Sequence, residues 1–214
     1  MALSTAEIII VGCGPGAVEY LPPVGDKAIQ HADVLVGAPR LLDDFSSNAA
    51  LKIPFGTDVS ALLEKMAVYA GYKNIVVLVT GDPGISSLAR QVIKRFGRSN
   101  CRVIPGISSV QTAFARIALD WQDALIITAH GQIPDENPES FSGQRKIAVL
   151  AGGEAARSWL CSLATVLGNS HEIFVCSNLT LPNERVDCIP PSELGTVPLP
   201  SRAIILFIEK GCLS

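Results

Sequence analysis

The sequence predicts an α/β protein of two domains: a parallel-sheet domain over residues 1–119 and a mixed-sheet α/β domain over 120–214. Three observations predict this. Short β-branched runs end abruptly in glycine, as Ile8-Ile9-Ile10-Val11 breaks into Gly12-Cys13-Gly14-Pro15-Gly16; a buried parallel strand closed by a tight loop reads this way. Such runs alternate with helical patterns from residue 7 to 119, which calls for parallel strands with helices on both faces. Past Asp120 the texture changes, and strands are separated by polar, proline-bearing tracts.

In order, the first strand is Ile8–Val11. Val24–His31 is a short helix entered through Pro22-Pro23, a favourable place for proline. Asp33–Val36 is the second strand, left through Gly37-Ala38-Pro39-Arg40. Asp58–Gly71 carries Val59, Leu62, Leu63, Met66 and Val68 at roughly helical spacing and stops at glycine. Ile75–Thr80 is a strand that breaks into Gly81-Asp82-Pro83-Gly84, and Ser86–Phe96 is a helix ended by Gly97. Arg102–Ile104 is a strand running into Pro105-Gly106, and Ser109–Leu119 is a helix with serine at its N-cap. In the second domain, Ala124–Thr128 is a strand ending at His130-Gly131, and Gln132–Gly143 is a polar loop. Ile147–Leu150, Glu172–Cys176 and Ala203–Ile208 are strands, with the helix Glu154–Leu167 after the first of these. The stretch 180–200, rich in Pro, Glu and Ser, carries no element.

Three strand-end glycine loops therefore stand ready to floor one ligand site, since open α/β sheets bind at the carboxyl ends of their strands. Gly12, Gly14 and Ala17 fit the G-x-G-x-x-A dinucleotide pattern. Two details argue against that reading. Pro22-Pro23 falls where the phosphate-binding helix would have its second turn, and interior proline costs about 3 kcal/mol. The second strand ends in Val36-Gly37, and its one acid, Asp33, stands at its start instead of the ribose position. A nucleoside ligand without pyrophosphate suits these loops better, and S-adenosylmethionine is such a ligand. Asp82 reads equally as a ligand contact and as a turn cap. Ser108 and Ser109 read as helix caps or polar contacts. His130 stands at a ligand-bearing strand end, whereas His31 and His171 look like surface or helix-end residues. No Ser-His-Asp set, paired carboxylates or metal box is visible, so no catalytic residue is named and no metal is expected.

The 214 residues are 48% hydrophobic, enough for sizeable cores, and the net charge of −3 with no basic run speaks against nucleic acid. Six cysteines, none spaced C-x-x-C, read as reduced thiols in a cytoplasmic protein. Met1–Glu7 does not read as a signal peptide, and the apolar runs are far short of a membrane span.

The stretches VGCGPG and TGDPGISS resemble the first glycine loop and the GDP loop of the tetrapyrrole methylases. IPGISSVQTAFARIALDWQDALIITAHG is more specific and is similar to the branch that methylates carbon 5 of precorrin in cobalamin biosynthesis. VGAPRLL and SNLTLPNERV, near the family's ENLGxPxE, support that branch. The resemblance implies a bilobal tetrapyrrole methylase fold, with S-adenosylmethionine in a cleft between the domains and the tetrapyrrole in an adjoining trough. Carried over by position, Gly12, Gly14, Pro15, Asp82, Ile85, Ser108, Ser109 and Leu150 meet the cofactor. The ring is a polycarboxylate and this protein is acidic, so Arg40 and Arg116 are the candidates for substrate contacts, with His130 near the ring. Ser177 and Thr180 replace the glutamate and glycine of ENLG, and Ala17 stands where the family often has aspartate.

The family also suggests a homodimer. With the strand Ala203–Ile208 near the end of the chain, a single methyl addition without decarboxylation is expected, leaving carbon 15 to a partner polypeptide. The alternatives are a methylase for another ring carbon, for uroporphyrinogen or for a protein or RNA target, an NAD(P)-dependent reductase, and a non-catalytic nucleotide-binding module.

Overall fold

A computed structural model describes residues 6–45, 50–130, 133–152 and 154–213. The chain divides into two compact units, Met1–Ser108 and Ser109–Ser214.

The first unit is built on five parallel strands, β1 (Ile8–Gly12), β2 (Val34–Gly37), β3 (Leu51–Pro54), β4 (Ile75–Val79) and β5 (Cys101–Ile104), in the order β3-β2-β4-β1-β5. β1 is buried at every residue because both faces are covered. Ile8 and Ile10 join Val34, Val36, Ile75 and Val77 under α3 (Val59–Ala67) and α4 (Ala89–Phe96). Ile9 and Val11 join Leu35, Val76 and Leu78 on the other face, under Ile29 of α1 (Pro23–Gln30) and Leu41 and Leu42 of α2 (Pro39–Asp44). Alternate residues of one apolar run thus serve two cores.

The second unit is a mixed sheet of β6 (Leu125–Ala129), β7 (Lys146–Ala151), β8 (His171–Ser177), β9 (Arg185–Ile189) and β10 (Ala203–Glu209), ordered β6-β7-β10-β8-β9. β6 and β7 are parallel; the other three pairings are antiparallel. α6 (Arg157–Leu167) buries Trp159, Leu160, Leu163, Ala164 and Leu167 on one face. α5 (Ser109–Arg116) buries Val110, Ala113 and Phe114 on the other, against Ala148, Cys176, Ile204 and Leu206. The sequence reading grouped α5 with the first domain. Periodicity shows that a helix has an apolar face, not which sheet covers it.

Several elements differ from their sequence expectation. α2 follows directly where the sequence pattern shows only the exit Gly37–Arg40, and no sequence pattern marks β3 or β9. β3 exposes three of its four residues, and β9 is polar, so neither shows an apolar run. α4 begins at Ala89 instead of Ser86. Ser86 takes φ 46°, and the Ser87 hydroxyl donates to Pro83 O (2.6 Å) and accepts from Ala89 N (3.1 Å), which starts the helix there. His171 is buried, not a surface residue: its Nε2 faces Gln144 O and its Nδ1 faces Ser170 Oγ, both at 2.8 Å. Among the described residues no helix is long and apolar enough to cross a membrane.

Candidate functional site

Within the first unit, β1 lies between β4 and β5, so the loops that follow these three strands meet at one edge. They touch through main chain. A Cβ on Gly12 would lie 2.5 Å from Gly106 N and 2.7 Å from Gly81 O; one on Gly106 would lie 2.4 Å from Gly81 O. No side chain fits there. The bareness of Gly106 admits the main chain of the neighbouring loops. Gly14, at φ 81°, forms a bridge with Gly81: Gly81 N donates to Gly14 O at 2.7 Å, and Gly14 N to Gly81 O at 3.4 Å.

Asp82 ties the second and third loops together. Its Oδ1 accepts from Gly84 N (2.7 Å), and its Oδ2 accepts from Gly106 N (3.1 Å). The first bond is the turn contact expected for aspartate in such a loop; the second, across to the β5 loop, is not legible in sequence. Ile85 is half-buried and donates its N–H to Asp82 O (3.1 Å). Pro15 is buried in the first loop, Ser108 is buried below the third, and Ser109 opens α5. Arg40, at the start of α2, reaches the first loop: its guanidinium donates to Gly16 O (3.4 Å) and pairs with Asp44 (2.9 Å). Burial pushes the Cys13 thiol up to about 12, so this loop cysteine is protonated at neutral pH and is no nucleophile.

No helix N-terminus is aimed into the first loop at the spacing a pyrophosphate needs. A single 3₁₀ turn, Val18–Tyr20, follows the glycines, and α1 begins only at Pro23, which has no N–H to offer.

In the second unit, His130 follows β6 and is exposed. Gly152 follows β7 beside it, and a Cβ there would lie 2.6 Å from His130 Nδ1. Gly131, named with His130 in the sequence analysis, lies outside the described residues. Leu150 is half-buried on β7, paired with Thr128 and Ile204, and leans on the α5 face. Arg116, at the end of α5, grips Glu184 with Nε at 2.5 Å from Oε1 and Nη2 at 3.1 Å from Oε2. The guanidinium so placed holds the Glu184 carboxyl below the usual carboxylate range.

The structure thus gathers Gly12, Gly14, Pro15, Asp82 and Ile85 on touching loops of the first unit, with Arg40 reaching the first loop from α2. In the second unit His130 follows β6 and Leu150 lies on the neighbouring β7. Arg116 stands apart from that pair, on the ion pair with Glu184. Sequence reasoning did not single out Glu184, Gly152 or Ser87. Glu184 is the last residue of the ENLGxPxE-like stretch, but its partner Arg116 is visible only in the fold, as is the approach of Gly152 to His130. Among the described residues no group of three or more His, Cys, Asp or Glu could hold a metal ion.

The family profile described as Tetrapyrrole (Corrin/Porphyrin) Methylases matches residues 7–189. A cobalt-precorrin-7 C(5)-methyltransferase of Salmonella typhimurium is 31% identical over 189 residues, covering 88% of this chain and 92% of its own. A probable cobalt-precorrin-7 C(5)-methyltransferase of Methanocaldococcus jannaschii is 32% identical over 197 residues, covering 88% and 91%. Among solved structures, a uroporphyrin-III C-methyltransferase of Thermus thermophilus complexed with S-adenosylhomocysteine superposes with a TM-score of 0.77 at 19% identity, covering 95% and 92%.

Proposed function

The chain belongs to the tetrapyrrole (corrin/porphyrin) methylases, and from that premise we infer an S-adenosylmethionine-dependent methyltransferase that methylates carbon 5 of a cobalt-precorrin ring in cobalamin biosynthesis. The observation that carries this is the match to C(5)-methyltransferases along 91–92% of their own length.

The loops fit the cofactor. Gly12 and Gly106 leave no room for a Cβ, and the first loop leads into a single 3₁₀ turn and then Pro23 instead of a phosphate-binding helix, as suits a nucleoside with a sulfonium and a carboxylate. The bound cofactor supplies an electrophilic methyl group, and a partly reduced ring carbon is enamine-like. The chain's task is alignment, which is worth up to roughly 7–11 kcal/mol. Main-chain contact between loops and the two hydrogen bonds that Asp82 accepts keep that edge rigid, so little ordering is left for the moment of reaction. Gly12, Gly14 and Pro15 shape the first loop, and Asp82 holds the second against the third. Cofactor contacts at Ile85, Ser108, Ser109 and Leu150, and ring contacts at Arg40 and His130, complete the reading. A homodimer in the cytoplasm, acting beside a separate carbon-15 methyltransferase and decarboxylase, belongs to it too.

Mass spectrometry of the product tests it. With a cobalt-precorrin-7 substrate and S-adenosylmethionine, the ring gains one methyl and keeps all its carboxylates. A second methyl or loss of carbon dioxide from the purified chain refutes the single-site reading. In calorimetry, S-adenosylhomocysteine binds and NADPH does not; the reverse outcome ends the assignment.

A further inference from the structure

We propose that Arg116 and Glu184 form a positioning clamp on the turn that follows β8, and that Arg116 serves the reaction through that turn instead of gripping the substrate. The proposal rests on the methyltransferase reading above.

The sheet of the second unit fixes where this turn lies. β7 and β8 each run antiparallel to β10, which lies between them, so they point the same way, and β6 is parallel to β7. The carboxyl ends of β6, β7 and β8 therefore share one edge. His130 stands there, Gly152 follows β7, and Ser177 leads into the turn Asn178–Thr180. Strand carboxyl ends are where α/β sheets meet their ligands.

The turn is in an unfavourable conformation. Asn178 takes φ 50° and Thr180 φ 69°, on either side of the buried Leu179. Asparagine tolerates the left-handed region; a β-branched threonine there is an outlier, and such residues persist only where the surroundings over-determine them. The surroundings are visible. Leu181 N donates to Asn178 O and Glu184 N to Leu181 O, both at 2.9 Å. The Glu184 carboxylate accepts from Thr180 N, next to the strained angle. The same carboxylate is held by the two-pronged contact of Arg116, the last residue of α5. α5 is itself anchored by Val110, Ala113 and Phe114 in the core. A rigid helix, an ion pair and a backbone N–H thus form one chain of contacts that ends on the strained residue.

This arrangement gives Arg116 a task already in hand. A substrate carboxylate would have to compete with Glu184 for the guanidinium.

The experiment uses the full chain and compares Arg116→Gln, Glu184→Gln, the double variant and each of these with Thr180→Gly. The readouts are kcat/KM for the precorrin substrate, its separate KM, S-adenosylhomocysteine affinity and melting temperature. Wild-type binding and turnover come first; if the wild type neither binds S-adenosylhomocysteine nor transfers a methyl, the functional reading falls and the clamp falls with it. Given an active wild type, both single variants lose about tenfold in kcat/KM, the loss of one charge-assisted bond. The double variant is no worse than either single, because both remove one coupled element. Thr180→Gly restores most of the loss, since glycine holds the turn without the clamp. Turnover is read well below each variant's own melting temperature, where every variant is fully folded, so the rescue reports the turn and not a general gain in stability. A raised substrate KM in Arg116→Gln alone, additive losses, no loss at all, or no rescue by Thr180→Gly each overturns the clamp.

Discussion

The two units hold their strand-end loops by opposite means. In the first, loop meets loop through bare main chain, with Gly12, Gly81 and Gly106 in mutual contact and Asp82 binding two backbone N–H groups. In the second, long side chains do the joining. Arg116 holds Glu184, Arg157 reaches Leu194 O (2.7 Å) and Val197 O (2.8 Å), and Lys146 meets Asp120 (2.8 Å) and Asp123 (3.2 Å). Gly152 against His130 is the point at which the second unit borrows the method of the first. The first edge is thereby sensitive above all to volume. The second tolerates volume and answers to charge and pH.

The largest effect that would break this contrast is steric. Gly106→Ala puts a methyl 2.4 Å from Gly81 O, a backbone atom that cannot swing away. Unfolding in urea should show a loss of about 3 kcal/mol, the upper range for overpacking. A loss below about 0.5 kcal/mol would mean that the loops yield easily and that the first edge is not rigid.

Asp82→Ala comes next. It removes an acceptor shared by two loops, and a charge-assisted bond is worth roughly 1.5–3 kcal/mol. Stability should fall by about 2 kcal/mol, and cofactor affinity with it, because the floor of the loops loosens. Affinity falling with stability unchanged would make Asp82 a ligand contact alone.

Thr180→Gly sharpens the contrast from the other side. Relief of the φ 69° strain outweighs the flexibility of glycine, so a gain of about 1 kcal/mol is expected. A thermal melt that shifts downward would show that the threonine side chain contributes more than its backbone costs.

The smallest effect is electrostatic. The Glu184 carboxyl is held low by the Arg116 bond, so its folded-state pKa lies below the unfolded one. Its contribution is fully present above the unfolded value, about 4.3, and is lost as pH falls through the folded one. For a partly exposed pair this amounts to about 1 kcal/mol or less. Comparing the acid limb of stability for wild type and Glu184→Gln tests the sign: the gap between the curves should close as pH falls, whereas a gap that widens contradicts it.

Sequence exposed much of this molecule because its strands are buried on both faces. Ile8–Val11 and Ile75–Val79 are apolar at every position, and glycine follows the first directly and the second after Thr80. Pro22-Pro23 and the missing acid at the end of the second strand argue against the dinucleotide alternative, and α1 does begin at Pro23. Edge strands were hidden for the complementary reason: with one partner and much solvent, Leu51–Pro54 and Arg185–Ile189 need no apolar run. Of the candidate site, the residues that act by local geometry were legible, such as Gly14 and the turn bond of Asp82. Contacts made across the fold were not. Glu184 lies 68 residues from Arg116, and nothing in SNLTLPNERV announces its partner.

The central position of β1 also has a consequence for birth on the ribosome. Ile8–Gly12 precedes both of its sheet neighbours in the chain, which begin at Ile75 and Cys101. At roughly 5–20 residues per second, this apolar strand waits several seconds without a partner. Its exposed edges then invite contact with chaperones or with other nascent chains. Cys13 reports on that interval, because it is the sole cysteine before residue 101 and is buried once the sheet closes. In chains arrested before residue 75, a thiol reagent should label Cys13 rapidly; in the finished protein, labelling should wait on unfolding. Protection of Cys13 in the short chains would mean that β1 finds shelter before its sheet exists.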